Sequence, residues 1–299
     1  MQAQTTQQIT YHRGPQGPDV RSSILVPSWN NLPYLKACVE SIRRHSTFPH
    51  QIIVHVNDGG DGTLAWIREQ GLCHTYSPTN VGVCHAVNAA ATLATAPYIV
   101  FMNDDMVVLP GWDDALWQVI DTIGHDQWFL SATMIEPRAT GNPCVVVADY
   151  GDTPERLREA DLLNDLPRLR RDDWNGATWP PNVVPRSLWE AVGGYSAAYS
   201  PGFGSDPDFS MKLWQLGVRH FQGVGSSMVY HFQARSTGRV KRNDGPATFL
   251  ATWGLTIGGF NRHLLRRGTE FHGPLTEPSG LRYGFDRLRS ALKRRLRRQ

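Results

Sequence analysis

Two adjacent carboxylates at the end of an apolar stretch are the clearest candidates for chemistry. Asn103-Asp104-Asp105 follow YIVFM, a run typical of a buried strand. Two neighbouring acids there repel each other and lose hydration unless a cation or hydrogen-bond donors relieve them. Mg²⁺ and Mn²⁺ take such oxygen ligands, commonly together with substrate phosphates. The pair therefore indicates either a divalent-metal site or a helix cap ahead of Gly111, and the residues alone do not separate these readings.

A second acidic pair and a late histidine are further candidates. Asp206 and Asp208 lie in GFGSDPDF, directly before a helical pattern, and His231 closes a short apolar segment. Acids at the start of a helix usually cap it. A lone histidine in such a segment is more often structural than a ligand. Each residue is ambiguous when it is taken alone.

The elements that position these residues alternate between strand and helix from Ser22 onward. This alternation predicts a parallel α/β sheet with helices on both faces. Polar clusters follow four predicted strands, and parallel strands gather their carboxyl ends at one edge of a sheet, where ligands bind. We therefore expect the clusters to meet there. The predicted strands are 22–27, 51–57, 73–77, 98–104 and 229–232, and the predicted helices are 32–45, 63–70, 83–94 and 208–216.

Composition excludes several classes of protein. With 299 residues, 40% of them hydrophobic, the chain can bury a sizeable core, and a net charge of +3 argues against a nucleic-acid partner. No run reaches the roughly 18 to 20 apolar residues that span a bilayer, and the N-terminus lacks the apolar segment of a secretory signal. We therefore expect a cytoplasmic protein. The four cysteines are widely spaced, which indicates buried free thiols.

The C-terminal segment from Leu281 to Gln299 is strongly basic. It holds eight basic residues and one acid, and therefore a net charge of +7. Its apolar residues recur at spacings of three and four, which predicts a helix with one apolar stripe. Such a helix lies in an anionic membrane interface or docks on its own domain or a partner subunit, and the charge favours the membrane. The stripe consists of Leu281, Phe285, Leu288, Leu292 and Leu296.

Taken together, the segments between Ser22 and Phe232 resemble the GT-A glycosyltransferases of family 2, inverting enzymes that use nucleotide-diphosphate sugars. No single motif is specific, but all occur in the family's order. They are Val26-Pro27-Ser28-Trp29-Asn30, Asn57 to Thr63, Asn80-Val81-Gly82 with Ala86 and Asn88, Asn103-Asp104-Asp105, Gly193-Gly194-Tyr195, Ser205 to Asp208, and His231. The resemblance implies a Rossmann-like GT-A fold with a mixed, mainly parallel sheet and a C-terminal helical extension.

The resemblance also implies a donor site and a metal site. Asp104 would hold the ribose, Asp105 would ligate Mn²⁺ or Mg²⁺, and His231 would approach that ion from the other side. The residues implied for the rest of the donor are Asn57 and Asp58 at the nucleobase, Pro27 and Trp29 as its apolar bed, and Asn80, Gly82 and Asn88. The family's nucleobase turn is one residue longer and often begins with Asp, so UDP-, GDP- and dTDP-sugars all remain candidate donors.

The general base implied by the resemblance is Asp206, which would accept the proton of the attacking hydroxyl. Ser205 stands where the family usually has Glu, so Asp208 remains an alternative base. We favour Asp206 because Asp208 begins the helical stripe and has a ready capping role. The residues expected to border the acceptor are Trp174, Trp179, Gly194, Tyr195 and Asp208.

The sequence therefore predicts a metal-dependent inverting glycosyltransferase with a saccharide or lipid-linked acceptor. The alternatives are a non-catalytic GT-A-like protein held by its basic tail at an anionic membrane or nucleic acid, and a nucleotidyltransferase. The predicted organisation is a flexible leader at 1–20, a catalytic domain at 21–232 with halves at 21–105 and 106–232 and an insertion at 151–173, and a basic loop with helices at 233–299.

Overall fold

A computed structural model describes residues 9–15, 19–234 and 243–297, and one mixed sheet of eleven strands dominates it. Nine strands lie in the order β1-β4-β3-β2-β5-β10-β7-β11-β6, with β8 beside β7 and β9 beside β11. The strands are β1 (Thr10–His12), β2 (Ser22–Trp29), β3 (His50–Asn57), β4 (Cys73–Ser77), β5 (Tyr98–Phe101), β6 (Met106–Val108), β7 (Trp128–Glu136), β8 (Val146–Val147), β9 (Trp174–Asn175), β10 (Asn182–Pro185) and β11 (His220–His231).

Helices cover both faces of this sheet. They are α1 (Leu32–His45), α2 (Thr63–Glu69), α3 (Val83–Ala91), α4 (Trp112–Ile123), α5 (Glu159–Leu169), α6 (Arg186–Ala191), α7 (Ser205–Gln215), α8 (Gly245–Trp253), α9 (Ile257–Gly259) and α10 (Leu281–Leu296). A π-helical turn at Phe260–Leu264 follows α9.

The two helical layers follow from the two-residue period of the strands. Leu25 of β2 faces a cluster that contains residues of α3, α6, α7 and α8. Its neighbours Ile24 and Val26 face the opposite cluster, which contains residues of α1 and α4. This arrangement confirms the predicted α/β class.

Parallel pairing joins β4, β3, β2 and β5, as predicted from the alternation of strands and helices. The antiparallel strands β1, β6 and β10 were not predicted. Strand β5 ends at Phe101 rather than at Asp104, because the chain turns at 103–105 and enters β6, which pairs with the end of β11 at the far edge of the sheet. The predicted strand at 229–232 is the end of the twelve-residue β11.

The segments outside the predicted domain are partly ordered. Thr10–His12 of the expected leader pair with β4 as an edge strand, while residues 1–8 and 16–18 lie outside the described residues. Most of the basic loop, residues 235–242, also lies outside them. The insertion forms a 3₁₀ turn and α5, whose Leu162 and Leu166 pack against the β6 edge. All four cysteines are free and buried, as expected.

Candidate functional site

A cavity of about 890 Å³ lies at the carboxyl ends of β2, β3, β5, β7 and β11. Ten of the sixteen residues proposed from the sequence line it. They are Pro27, Trp29, Asn57, Asn80, Gly82, Asp104, Asp105, Trp179, Asp206 and His231. The strands bring these residues together because the turns that follow them open at the same edge of the sheet.

Two loops form one wall of this cavity by close approach. The Asn80 side chain accepts a hydrogen bond from Gly82 N at 2.8 Å, and Val83 N donates to the carbonyl of Pro201 at 2.9 Å. Gly82 has a φ of +80°, and a Cβ on it would lie 2.4 Å from Ser200 Oγ. Only glycine therefore allows the 80–83 turn to pack against the 200–202 turn.

A cluster of three charged side chains, Asp105, Glu136 and His231, also lines the cavity. His231 lies between two carboxylates: its Nε2 is 3.3 Å from Asp105 Oδ2, and its Nδ1 is 2.8 Å from Glu136 Oε1. Asp105 Oδ2 also accepts from Ala234 N at 2.8 Å. Burial opposes a charge on the imidazole, but the carboxylates of Asp105 and Glu136 outweigh burial and raise the pKa of His231 to about 10. His231 is therefore a cation at neutral pH.

The donors at this cluster suit a divalent ion that also binds a diphosphate. Among the described residues, no group of three or more His, Cys, Asp or Glu side chains is arranged as a metal site by itself. Asp105 and His231 nevertheless offer an oxygen and a nitrogen to one point at the cavity wall, and Mg²⁺ or Mn²⁺ commonly needs only one or two protein ligands beside substrate phosphates. An ion held there would replace the proton of His231.

Asp206 lies on the first turn of α7 and faces the cavity half-buried. Its Oδ1 accepts a hydrogen bond from the hydroxyl of Tyr195 at 3.0 Å. Burial raises the pKa of the Asp206 carboxyl to about 7, while the hydrogen bond from Tyr195 acts in the opposite direction. A carboxyl that titrates near neutral pH has the acidity of a general base.

Two of the residues proposed for the donor do not line the cavity. Asp58 is exposed beside Asn57, and its Oδ2 accepts from the Asn30 side chain at 2.9 Å. The Asn88 amide is committed to protein contacts: Asn88 Nδ2 donates to Tyr195 O at 2.7 Å, and Oδ1 accepts from Tyr195 N at 2.8 Å. In this structure Asn88 therefore holds the chain at Tyr195 rather than reaching the cavity.

Of the residues proposed for the acceptor, only Trp179 lines the cavity. Its ring lies 4.1 Å from the Arg267 guanidinium. Trp174 is 3% exposed because β9 pairs with β11, and its indole packs over Gly223 and donates to Thr133 Oγ1 at 2.9 Å.

The other three acceptor residues serve the packing around α7. Gly194 lies against the Asn88 side chain, where a Cβ would come within 2.4 Å of Asn88 Oδ1. Tyr195 is 1% exposed and stacks on Phe209. Asp208 does not cap the helix, contrary to our expectation, because its buried carboxylate accepts from Ser196 Oγ at 2.5 Å and from Trp253 Nε1 at 2.9 Å.

Two charged residues of the cavity were missed in the sequence. Glu136 ends the buried apolar strand β7 and bonds His231, and Arg138 follows it in the cavity wall. The signal was available for Glu136, since an acid that closes an apolar strand is the feature that pointed to Asp104 and Asp105. Arg138 adds a cation close to the cluster, where an anionic ligand would benefit from it.

Comparison with known proteins agrees with this geometry. Residues 23–140, which contain β2 to β7, match the sequence model of the family described as Glycosyl transferase family 2. This stretch of the chain is therefore similar in sequence to that family. The uncharacterized glycosyltransferase YwdF of Bacillus subtilis (strain 168) is 29% identical over 106 residues, which cover 34% of this chain and 39% of that protein. The match thus spans well under half of that relative.

Solved structures extend the likeness beyond the residues that this family model matches. S. aureus TarS 1–349 in complex with UDP-GlcNAc aligns with a TM-score of 0.56 at 14% identity, over 92% of this chain and 72% of that one. GalNAc-T7 with UDP, GalNAc and Mn²⁺ aligns with a TM-score of 0.53 at 15% identity, over 77% and 45% of the two chains. At these identities the likeness shows the fold, which is of the GT-A type.

Proposed function

We propose that the protein is an inverting glycosyltransferase that moves a sugar from a nucleotide-diphosphate donor to a hydroxyl of a saccharide or lipid-linked acceptor. One observation carries this proposal: a single cavity collects Asn57, Asp104, Asp105, Asp206 and His231 from separate segments of the chain. The family 2 match covers the first three of them. UDP and UDP-GlcNAc, named for the similar structures, make UDP-sugars the first donors to test.

Each of these side chains has a physical task in the transfer. The base of the donor would lie between Pro27, Trp29 and Asn57, and Asp104 would accept a hydrogen bond from the ribose. Asp206 would take the proton of the acceptor hydroxyl as that oxygen attacks the sugar carbon in line with the departing diphosphate. A pKa of about 7 lets Asp206 be ionised before the attack and hold a proton after it.

Asp105 and His231 would hold Mn²⁺ or Mg²⁺ in this proposal. The ion would supply neutralising charge to the diphosphate leaving group. Glu136 would orient His231 through the ring nitrogen that does not face Asp105, since it accepts from Nδ1. Arg138 stands in the same wall and would add positive charge next to the phosphates.

A panel of UDP-, GDP- and dTDP-sugars tests the activity directly. We expect the wild-type protein with Mn²⁺ to hydrolyse one donor slowly, or to transfer its sugar to added saccharides, with release of the nucleoside diphosphate. Asp206→Asn should still bind that nucleotide but lose turnover. Absence of binding and turnover with every member of the panel would overturn the proposal.

Metal dependence has its own test, in which no turnover is needed. Ligand that binds only the folded state stabilises it, so UDP should raise the melting temperature more with Mn²⁺ than with EDTA. Asp105→Ala should abolish the difference, whereas Asp161→Ala, a change of an exposed acid on α5 of the insertion, should preserve it. Equal stabilisation of the wild type in both buffers would contradict the role of Asp105 and His231.

We also propose that α10 attaches the protein to an anionic membrane surface. The apolar stripe predicted for this helix is not docked on the domain: Leu281, Phe285, Leu288, Leu292 and Leu296 are 94%, 66%, 61%, 53% and 73% exposed. The opposite face holds the helix in place, because Ser290 is buried and Asp286 accepts from Arg262 at 2.7 Å and His263 at 2.8 Å. The stripe is therefore available to a partner.

Charge selects the partner of this stripe. Seven basic residues and one acid lie between Leu281 and Arg297, and the acid, Asp286, is already paired with the domain. A second copy of the helix would bring like charges together, whereas an anionic leaflet contributes about 1 kcal/mol for each nearby Lys or Arg. No helix in the described ranges is long and apolar enough to cross a membrane.

Vesicle co-sedimentation tests this attachment. The wild type should sediment with phosphatidylcholine vesicles that contain phosphatidylserine, should ignore pure phosphatidylcholine vesicles, and should release as salt rises. Leu288→Ser/Leu292→Ser should lose binding, and Val147→Ser, which changes a residue 52% exposed on β8, should bind normally. Unchanged binding of the stripe variant, or dimerisation through α10 without binding to vesicles, would overturn the membrane proposal.

A further inference from the structure

Among the described residues, the Tyr195 hydroxyl is the side-chain group that hydrogen-bonds Asp206. Burial and the nearby Asp206 charge raise the pKa of Tyr195 well above its ordinary value. The hydroxyl therefore keeps its proton and acts as the donor in this hydrogen bond. The hydrogen bond occupies Oδ1 of the carboxylate. The second oxygen, Oδ2, is thereby the one offered to a substrate hydroxyl.

The Tyr195 ring is fixed by packing on several sides. It stacks on Phe209 with the ring centroids 4.8 Å apart and meets the edge of Phe101 at 5.4 Å. Trp189 packs against it at 5.6 Å. Because Phe101 also lines the cavity and Phe209 belongs to α7, the ring joins the helix that carries Asp206 to the sheet that carries the donor site.

The backbone of Tyr195 is fixed as well. The Asn88 amide bonds both Tyr195 N and Tyr195 O, so one side chain of α3 holds the residue from two directions. Gly194 allows this approach, because its φ is +62° and a side chain there would collide with Asn88. Asn88, Gly194 and Tyr195 thus form a continuous support from α3 to the proposed base.

We propose that Tyr195 is a positioning residue that orients the Asp206 carboxylate and favours its ionised form, and that Asn88 and Gly194 hold Tyr195 for that task. The inference rests on the proposed function of Asp206 as the base. A hydroxyl that donates to a carboxylate stabilises the charged form over the protonated one. It therefore offsets part of the effect of burial, which alone would leave more of the base protonated at neutral pH.

In the part of the chain that the structure describes, the other titratable side chain that interacts electrostatically with Asp206 is Cys84 of α3. Burial raises the pKa of this thiol to about 12, so it carries no charge at neutral pH. Removal of the Tyr195 hydroxyl should consequently leave the Asp206 carboxylate buried without a hydrogen-bond donor from the described residues.

Tyr195→Phe tests the inference, because it deletes the hydroxyl and keeps the ring. A hydrogen bond to a charged group contributes about 1.5–3 kcal/mol, so its loss corresponds to an increase in pKa of about one to two pH units. We expect the ¹³C-carboxyl titration of Asp206, assigned by its absence in Asp206→Asn, to move upward by that amount. The ascending limb of kcat should move with it, the KM for the donor should stay constant, and the kcat should recover at high pH.

Tyr199→Phe is the matched control, since Tyr199 is also buried next to α7 but its hydroxyl does not bond Asp206. It should leave both titrations unchanged. Replacement of Tyr195 by 3,5-difluorotyrosine, a more acidic phenol, keeps the hydroxyl and should shift both curves the other way, which provides a second test if the Phe variant folds poorly.

An Asp206 titration that is identical in the wild type and in Tyr195→Phe would overturn the inference. The carboxyl titration requires no substrate, so it decides the role of Tyr195 independently of turnover. A wild-type protein that turns over no donor at any pH would instead count against the proposed function.

Discussion

The two acids on the first turn of α7 differ in what surrounds them, although only one residue separates them. Asp206 faces the cavity, whereas Asp208 is 1% exposed and accepts hydrogen bonds from Ser196 and Trp253. The same helix thus presents one carboxylate to a ligand and uses the other to join α7 to the 196 turn and to α8.

Replacement of each acid by its amide separates these tasks. Asp206→Asn should reduce turnover by about 10²- to 10⁴-fold, the usual contribution of a general base, and should retain UDP binding. Asp208→Asn places an amide where two donors already point, so it should lower the free energy of unfolding by about 1–3 kcal/mol while much of the activity remains. Denaturation curves and initial rates check both; a stable, inactive Asp208→Asn would reverse the assignment of the base.

The pKa of Asp206 also predicts how stability depends on pH. Because the folded-state pKa, about 7, lies above the ordinary aspartate value of 3.8, the folded protein binds this proton more tightly than the unfolded chain does. The stabilisation from the bound proton is complete below pH 4 and is lost as the pH rises through about 7. Subtraction of Asp206→Asn denaturation curves from wild-type curves at several pH values should show this decline; a flat difference would place the pKa near its ordinary value.

For single residues, the sequence predicted the site correctly where a residue ends a strand or helix. It failed where the direction of the side chain decides whether the residue reaches the cavity. Asp105, Asp206 and His231 stand at strand or helix ends, and all three reach the cavity. Trp174 and Tyr195 are aromatic residues in the expected neighbourhood, but the pairing of β9 with β11 turns Trp174 into the core, and Asn88 draws Tyr195 behind Asp206. Such contacts join residues far apart in the chain, so no local pattern contains them.

Among the elements, the alternating strands and helices in the first half of the chain were predictable, whereas the short strands β6 and β10 were not. Helices α1 to α3 and strands β2 to β5 follow hydrophobic periodicity, which depends on neighbours in sequence. Strand β10 has only four residues and lies between β5 and β7, so its position depends on two long-range pairings. The same holds for β6, which starts directly after the acidic turn and pairs across the sheet with β11.

The close packing of the 80–83 turn, just before α3, is expected to shape the donor site. Gly82→Ala places a methyl group 2.4 Å from Ser200 Oγ at a φ of +80°, and the neighbouring loop must move to accept it. Since both loops line the cavity, we expect weaker binding of UDP, about tenfold or more, with a smaller loss of thermal stability than in a core variant.

Gly124→Ala is the matched control, because Gly124 follows α4, has a φ of +72° and has no atom within 4 Å of the added Cβ. It should carry the same backbone strain without the collision and should bind UDP normally. Isothermal titration of both variants decides the matter; equal affinities would show that the 80–83 turn does not shape the donor site.

In the whole molecule, one continuous sheet supports the site, and helix α10 contacts the segment next to the cavity wall. Residue Thr256 N donates to Ser290 Oγ of α10 at 3.4 Å, and the next residue, Ile257, lines the cavity. The helix proposed to meet a membrane is therefore connected to the cavity wall through α9. A lipid-linked acceptor held at the same surface would reach the site from that side.

A variant that ends at Ser279 separates attachment from catalysis. Ser290 is the only buried residue of α10 among those described, so removal of the helix should lower the melting temperature only modestly and leave turnover of a water-soluble acceptor near the wild-type rate. Turnover of the same acceptor headgroup on a lipid in phosphatidylserine vesicles should fall about tenfold or more, because the enzyme is no longer concentrated at the surface.

High salt should lower the turnover of the lipid-linked acceptor by the full-length protein to the rate of the shortened one, since salt screens the attachment to the vesicle. Loss of the fold on truncation would instead assign α10 a structural role, and equal loss with both acceptors would place its effect in the active site.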